Sequence, residues 1–271
     1  MIIKSMNFNI EQIADSGQCF RMNPVNKNTY GLVAYGKYIE LTQIDFDTVK
    51  ISCSEEEYET IWHDYFDMDY DYEKVLEVLL NGEDQFLKDA GNFGRGLRIL
   101  AQEPFEILIS FIISQNKNIP GIKSSIEALS EKFGDKKICG SITYHTFPTP
   151  ERLANAELVQ LKETRLGYRD KYVLNAAKAV VSKELDLNAL KAMKHEEAYK
   201  ELKNIYGVGT KVANCIALYG LHHIDMVPID VWMARIVKEI YNNQFDWKKY
   251  QDFAGIVQQY MFYYMRYCYR S

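Results

Sequence analysis

Two residues in this sequence have the type and setting for covalent chemistry. Lys211 falls in the first turn of a predicted helix, Thr210 to Leu221, whose later turns are apolar. The positive end of a helix dipole and apolar surroundings both disfavour an ammonium, and an uncharged amine is a nucleophile. Asp230 follows nineteen residues later, in Val227-Pro228-Ile229-Asp230-Val231-Trp232, behind a rigid proline and at the start of the next predicted helix. Two helix starts in a compact pair can meet across one cleft. Read alone, Asp230 is an N-cap, and capping is compatible with a chemical role.

The chain enters the Lys211 helix through Gly207-Val208-Gly209, with an apolar-periodic helix on either side. Two glycines permit a tight reversal and let backbone N–H groups approach a partner with no side chain between them. Free N–H groups at the helix start form an anion site, for which a phosphate oxygen is one candidate. A nucleotide-binding P-loop fails on order, because Thr210 precedes Lys211 and the segment before the glycines reads as helix rather than strand. An ordinary helix–turn–helix joint with an exposed lysine remains open on this segment alone.

Metal chemistry finds little support. The five cysteines, Cys19, Cys53, Cys139, Cys215 and Cys268, are odd in number and scattered, which suits reduced thiols rather than a disulfide framework or a metal cluster. Among the five histidines only His222 and His223 adjoin, and neighbouring side chains diverge. The net charge of −5 opposes a polyanionic partner, but its distribution is uneven. Residues 1–100 hold 18 acidic against 9 basic side chains and residues 101–271 hold 19 against 23, so any polyanion would favour the second part.

The elements that must position these residues divide the chain in two. Thr29 to Ala34 and Lys37 to Gln43 are rich in Tyr, Val, Ile and Thr and flank the turn-like Tyr35-Gly36, which predicts an antiparallel sheet. From a Ser54 cap onward the spacing is helical, with Glu55 to Glu57 in the first turn. Further helices are predicted over Pro104–Ser114, Pro120–Phe133, Arg169–Lys183, Glu196–Ile205 and Val231–Tyr241, and a last one over Trp247–Arg266. Gly134–Pro150 and Leu221–Pro228 read as loops. No apolar run reaches the roughly 18 residues of a membrane span, and Met1 to Ile10 lacks the layout of a signal peptide. An intracellular protein is expected, with a prokaryotic cytoplasm as its place.

In Gly207-Val208-Gly209-Thr210-Lys211-Val212-Ala213 and Val227-Pro228-Ile229-Asp230-Val231 the sequence resembles the helix-hairpin-helix glycosylases, specifically the 8-oxoguanine DNA glycosylase branch. Ser16-Gly17-Gln18-Cys19-Phe20-Arg21, the run Pro104 to Ile112, Asn116-Lys117-Asn118-Ile119 and Leu166-Gly167-Tyr168-Arg169 resemble the same branch in the same order. The resemblance implies an α+β, mostly α fold. A small N-terminal antiparallel sheet domain, 1–100, would pack on a helical body, 101–246, containing a helix-hairpin-helix at 196–221. The terminal helix, 247–271, would pack on the sheet domain.

The resemblance also implies roles. Lys211 would attack the anomeric carbon of a damaged nucleotide, and Asp230 would stabilise the cationic sugar as the base leaves. Opening of the amine adduct to a Schiff base would allow β-elimination, so a combined glycosylase and lyase is expected. Gly17 would present its carbonyl to N7–H of the oxidised guanine, Cys215 and Phe262 would stack on the flipped base, and Gln258 would bond its Watson–Crick edge. Asn116 and Tyr168 would fill the vacated space, Arg169 would contact the orphaned base, and Gly207 and Gly209 would grip phosphate. Where animal and fungal members usually carry a second arginine, this chain has Pro120-Gly121, which implies weaker discrimination for cytosine opposite the lesion.

No cofactor is expected. Only Cys268 lies near the C-terminus, so an iron–sulfur cluster is not, although a single metal ion on the carbonyls of Tyr206 to Gly209 is possible when DNA is bound. The expected partner is double-stranded DNA containing oxidised guanine, bound by a monomer. An alkylbase glycosylase shares the fold and aspartate but lacks the lysine. A non-catalytic binding module would need the hairpin but not the Lys211–Asp230 pair.

Overall fold

The computed structural model describes residues 1–268. Five strands, Ile2–Lys4 (β1), Met22–Asn26 (β2), Thr29–Ala34 (β3), Lys37–Gln43 (β4) and Thr48–Ile51 (β5), form an antiparallel sheet in the order β1-β5-β4-β3-β2. β3 and β4 have the predicted bounds. Tyr35 and Gly36 join them at φ 51° and 67°, the pair of positive values that a two-residue hairpin turn needs to follow the strand twist. One face of the sheet buries Met22, Leu32, Ile39 and Leu41 against Trp62, Tyr65 and Phe66. The helical segment that brings those aromatics starts where expected, with Ser54 Oγ accepting from the Glu57 amide at 3.1 Å.

The helical body is organised around Pro104–Ser114, in which Ile107 through Ile113 are all buried, the pattern of a helix packed on every side. Ile119–Phe133, Asp170–Val181 and Thr210–Tyr219 pack on it and His195–Asn204 packs on Thr210–Tyr219, all within a residue or two of the predicted bounds. The sheet's core draws on residues from Ile3 to Phe66 together with Leu100. Tyr72–Asn81 and Gln85–Phe93 contribute instead to the core of the helical body. The sheet's own core thus ends at Phe66 and takes in Leu100 from beyond those two helices.

Two of the predicted segments depart from expectation. Gly134–Pro150 is not all loop: Lys136–Cys139 (β6) and Ile142–His145 (β7) pair around Gly140, which sits at φ 58°. β6 is wholly exposed, so no buried face imposed an alternating pattern on its sequence. Lys137 Nζ (3.0 Å) and Tyr144 Oη (3.2 Å) both donate to the Gly36 carbonyl, which docks the hairpin on the β3–β4 turn. The terminal helix is not continuous from Trp247, because a 3₁₀ turn, Trp247–Tyr250, precedes the helix Ala254–Cys268. Gly255 N donates out of that helix to Ile224 O at 2.8 Å, and a Cβ at Gly255 would lie 2.6 Å from the Met226 carbonyl. The terminal helix packs on Gln85–Phe93, where Phe93 meets Tyr263 at 5.3 Å and Phe86 meets Tyr264 at 5.4 Å. Residues 269–271 lie outside the described residues.

Candidate active site

Lys211 extends from the first turn of its helix over the ring of Phe111, with Nζ 5.1 Å from the centroid. Phe111 in turn stacks on Tyr219 at 5.3 Å with the rings 15° apart, so the amine rests on a fixed aromatic floor. Phe111 belongs to a motif the sequence singled out, but its place under the lysine follows only from the packing of two helices. Asp230 is the N-cap of Val231–Glu239, and its Oδ1 accepts from the amides of Trp232 (3.0 Å) and Met233 (2.9 Å). Burial pushes its carboxyl above the usual aspartate range, against the opposing pull of those amides and of Lys211. Burial likewise raises the Cys215 thiol, one turn beyond Lys211, and the nearby lysine works in the opposite direction.

Phe111, Lys211 and Asp230 line a cleft of about 850 Å³ between the N-terminal turn, the end of Pro104–Ser114, the Lys211 helix and the terminal helix. At its inner end is a recess of about 40 Å³ lined by Gly17, Lys211, Cys215, Asp230, Gln258 and Phe262 among others. Six residues predicted from positions 17 to 262 thus meet at one place. The half-buried Phe262 ring forms one wall of this recess.

Gly17 has φ 78°, which disfavours any side chain, and a Cβ there would come within 3.6 Å of the Phe262 ring. Its turn is anchored from two sides. Gln18 Nε2 donates to Ser16 Oγ (2.9 Å) and to Arg98 O (2.7 Å), and Gln259 Nε2 donates to Ser16 O at 2.8 Å. Gln259 was not anticipated, since one glutamine in a helix looks like its neighbour in sequence. Gln258 behaves differently: its Oε1 is buried without a partner, an acceptor left free at the recess.

Asn116 lines the wider cleft at φ 49°, a left-handed conformation that asparagine tolerates better than most residues. Tyr168 is exposed and lies under the Arg169 guanidinium at 4.4 Å. Arg169 itself is buried and directed at the chain: it donates to the carbonyls of Gln115 (2.8 Å), Leu166 (3.0 Å) and Asn116 (3.2 Å). In this form it supports the Asn116 turn rather than facing outward. At the position of the missing arginine, Gly121 N donates to the Asn118 cap at 2.9 Å, and Lys117 Nζ is turned to the Arg165 carbonyl at 2.7 Å.

The hairpin adjoins the Asn116 turn through Gln115 Nε2, which donates to Gly207 O at 2.9 Å. Gly207 has φ 88°, and a Cβ would lie 2.4 Å from the Tyr172 ring, so the position admits only glycine. A Cβ on Gly209 would meet nothing within 4 Å, which leaves the start of the Lys211 helix open to an anion. Among the described residues the cysteines are all free, and no helix is long and apolar enough to cross a membrane.

A sheet-bearing N-terminal part packed on a helical body, with a lysine and a capping aspartate in the cleft beside a glycine hairpin, is the architecture of a base-excision DNA glycosylase. The chain belongs to the HhH-GPD superfamily of base excision DNA repair proteins, which residues 109–255 match, and residues 1–108 match the 8-oxoguanine DNA glycosylase N-terminal domain. It is 39% identical over 159 residues to an N-glycosylase/DNA lyase of Saccharomyces cerevisiae, covering 54% of this chain but only 42% of that protein. With a probable N-glycosylase/DNA lyase of Methanothermobacter thermautotrophicus the identity is 31%, over 73% of this chain and 71% of the relative. The Clostridium acetobutylicum 8-oxoguanine glycosylase/lyase, solved with duplex DNA containing cytosine opposite 8-oxoguanine, superposes with a TM-score of 0.89 at 36% identity. That match covers 98% of this chain and 97% of the other.

Proposed function

We propose that this chain is a bifunctional DNA glycosylase and lyase that flips 8-oxoguanine out of duplex DNA, excises it and then cleaves the strand in base excision repair. The observation that carries this reading is the meeting of Lys211, Asp230, Gly17, Cys215, Gln258 and Phe262 in one recess. The Lys211 amine bonds to the anomeric carbon as the bond to the base breaks, the bonding pair leaving on the base. The Asp230 carboxylate, held by two amides, stabilises the positive sugar that develops between these events. Opening of the sugar ring turns the adduct into an imine, whose acidified neighbouring C–H permits β-elimination of the 3′ phosphate.

Gln258 Oε1 supplies the acceptor for the edge of the flipped base, and Phe262 and Cys215 are its stacking faces. Asn116 and Tyr168 enter the space the base leaves. With Gly121 under the Asn118 cap, no side chain there reads the opposite base, which favours weak discrimination for cytosine. The chemistry needs an amine and a carboxylate and no cofactor. A cation at the hairpin would be held by carbonyls of the segment Tyr206 to Gly209 together with oxygens of bound DNA. On a chromosomal substrate the protein would act as a monomer in the compartment that holds the DNA, which is the cytoplasm in a prokaryote.

Borohydride trapping on a duplex containing 8-oxoguanine tests the reading. Wild type should give a covalent protein–DNA adduct that Lys211→Gln does not form. Base release without an adduct would instead indicate hydrolysis by water, and neither event would indicate a binding module.

A further inference from the structure

We propose that Asn214 is a positioning residue for this reaction, holding the segment that carries Asp230 at a set distance from the helix that carries Lys211. The inference rests on the function proposed above. Val212, Ala213 and every residue from Cys215 to Tyr219 are buried apolar or aromatic positions, and Asn214 stands among them as the amide. Its Nδ2 donates to the Val227 carbonyl at 3.0 Å, while its Oδ1 is buried with no partner. A buried amide oxygen without a donor is unfavourable, and a leucine would fill similar space without that cost. What the amide adds is its bond to Val227.

That bond is placed where it can govern geometry. Val227 precedes Pro228, which restricts Val227 to extended backbone and has no N–H of its own, so residues 227–230 act as a short stiff arm ending at Asp230. Asn214 lies three residues beyond Lys211, on the neighbouring turn of the same helix. The earlier half of the connection is tied elsewhere, through His223 N to Ala217 O (2.9 Å) and Gly255 N to Ile224 O (2.8 Å). The segment that carries Asp230 is thus held after that residue by the cap and before it, at Val227, by Asn214. An amine and a carboxylate that must act on one anomeric carbon are sensitive to displacements of an ångström.

The test is Asn214→Leu, read in two ways that do not depend on each other. In single-turnover assays on the 8-oxoguanine duplex, base release should slow on the order of tenfold or more, with DNA affinity unchanged. In the free protein, amide hydrogen exchange should quicken within residues 227–234 and nowhere else. Base release and exchange both equal to wild type would overturn the proposal. So would faster exchange throughout the protein with affinity and rate lost together, the mark of a merely structural residue. Should wild type itself release no base, the functional reading fails, and exchange alone then decides: unchanged exchange at 227–234 overturns the role of Asn214. If the leucine variant does not fold, Asn214→Ala retains the helix and takes the same two measurements.

Discussion

The Arg169 guanidinium donates from Nε to the Gln115 carbonyl at 2.8 Å, across 54 positions of sequence, and so holds from beneath the turn that presents Asn116 to the cleft. Because Asn116 is in a left-handed conformation, its turn has little intrinsic preference to persist. Arg169→Ala removes charge-assisted bonds worth about 1.5–3 kcal/mol each and should lower the melting temperature of the DNA-free protein by several degrees. Arg169→Lys should recover only part of the loss, since an ammonium lacks the planar fork. Differential scanning calorimetry of the three proteins decides the matter, and an unchanged melting temperature in the alanine variant would remove the supporting role.

Asp230 caps a helix and faces the lysine, and these duties separate on substitution. An asparagine side chain accepts from the Trp232 and Met233 amides as an aspartate does, so Asp230→Asn should leave stability nearly unchanged. Its base-release rate should nevertheless fall by a factor on the order of 10²–10³, because the negative charge is gone. Asp230→Ala should lose the cap as well, about 1 kcal/mol in a denaturant titration.

The same carboxylate sets an acid limit. Burial raises its protonation above the usual aspartate range, and only the ionised form stabilises a cation. The rate of base release should therefore fall on acidification through an inflection higher than the ordinary value of 3.8. A single-turnover pH profile compared with that of Asp230→Asn, which should lack the inflection, checks this.

Glu106 is a buried carboxyl away from the recess, with Oε2 unpartnered, and desolvation pushes it up to about 8 against the opposing pull of Arg21. The native state therefore holds this proton more tightly than the unfolded chain. The stability it contributes is complete below the ordinary value of 4.5 and is lost as pH rises to about 8. Glu106→Gln should flatten the stability curve over that interval and exceed wild type above it. Denaturant midpoints at either end of the window measure the difference, and parallel curves would rule the assignment out.

The two hairpin glycines should respond differently. Gly207→Ala places a methyl into the Tyr172 ring at a positive φ and should destabilise the fold by more than the ~1–2 kcal/mol of the backbone strain alone. Gly209→Ala meets no atom in the free protein, so its melting temperature should stay near wild type while DNA affinity weakens. Melting curves with and without duplex distinguish them.

Much of the site was legible in the chain because its signals are local. Lys211 and Asp230 each announce themselves by a helix start, and Tyr35-Gly36 by a turn that the flanking strands require. The β6–β7 hairpin escaped notice because its exposed first strand carries no buried face, and Ile10–Asp15 because six residues are too few to establish a helical period. Gln258 and Gln259 show the limit most clearly: successive helix positions point about 100° apart, and which one reaches Ser16 depends on how the terminal helix is rotated against the body.

The sequence by itself determined which side chains are able to react and which segments present them, since capping, turn formation and helical period act over a few neighbouring residues. Only the tertiary structure decided what stands opposite each one: Phe111 beneath Lys211, the Gln115 carbonyl before Arg169, the Val227 carbonyl at Asn214 and the narrowness of the recess beside Phe262. These partners are separated in the chain by 13 residues for Asn214 and Val227 and by 54 for Arg169 and Gln115. Their meeting is set by the close packing of whole elements, which admits one rotation and one distance where local rules admit many.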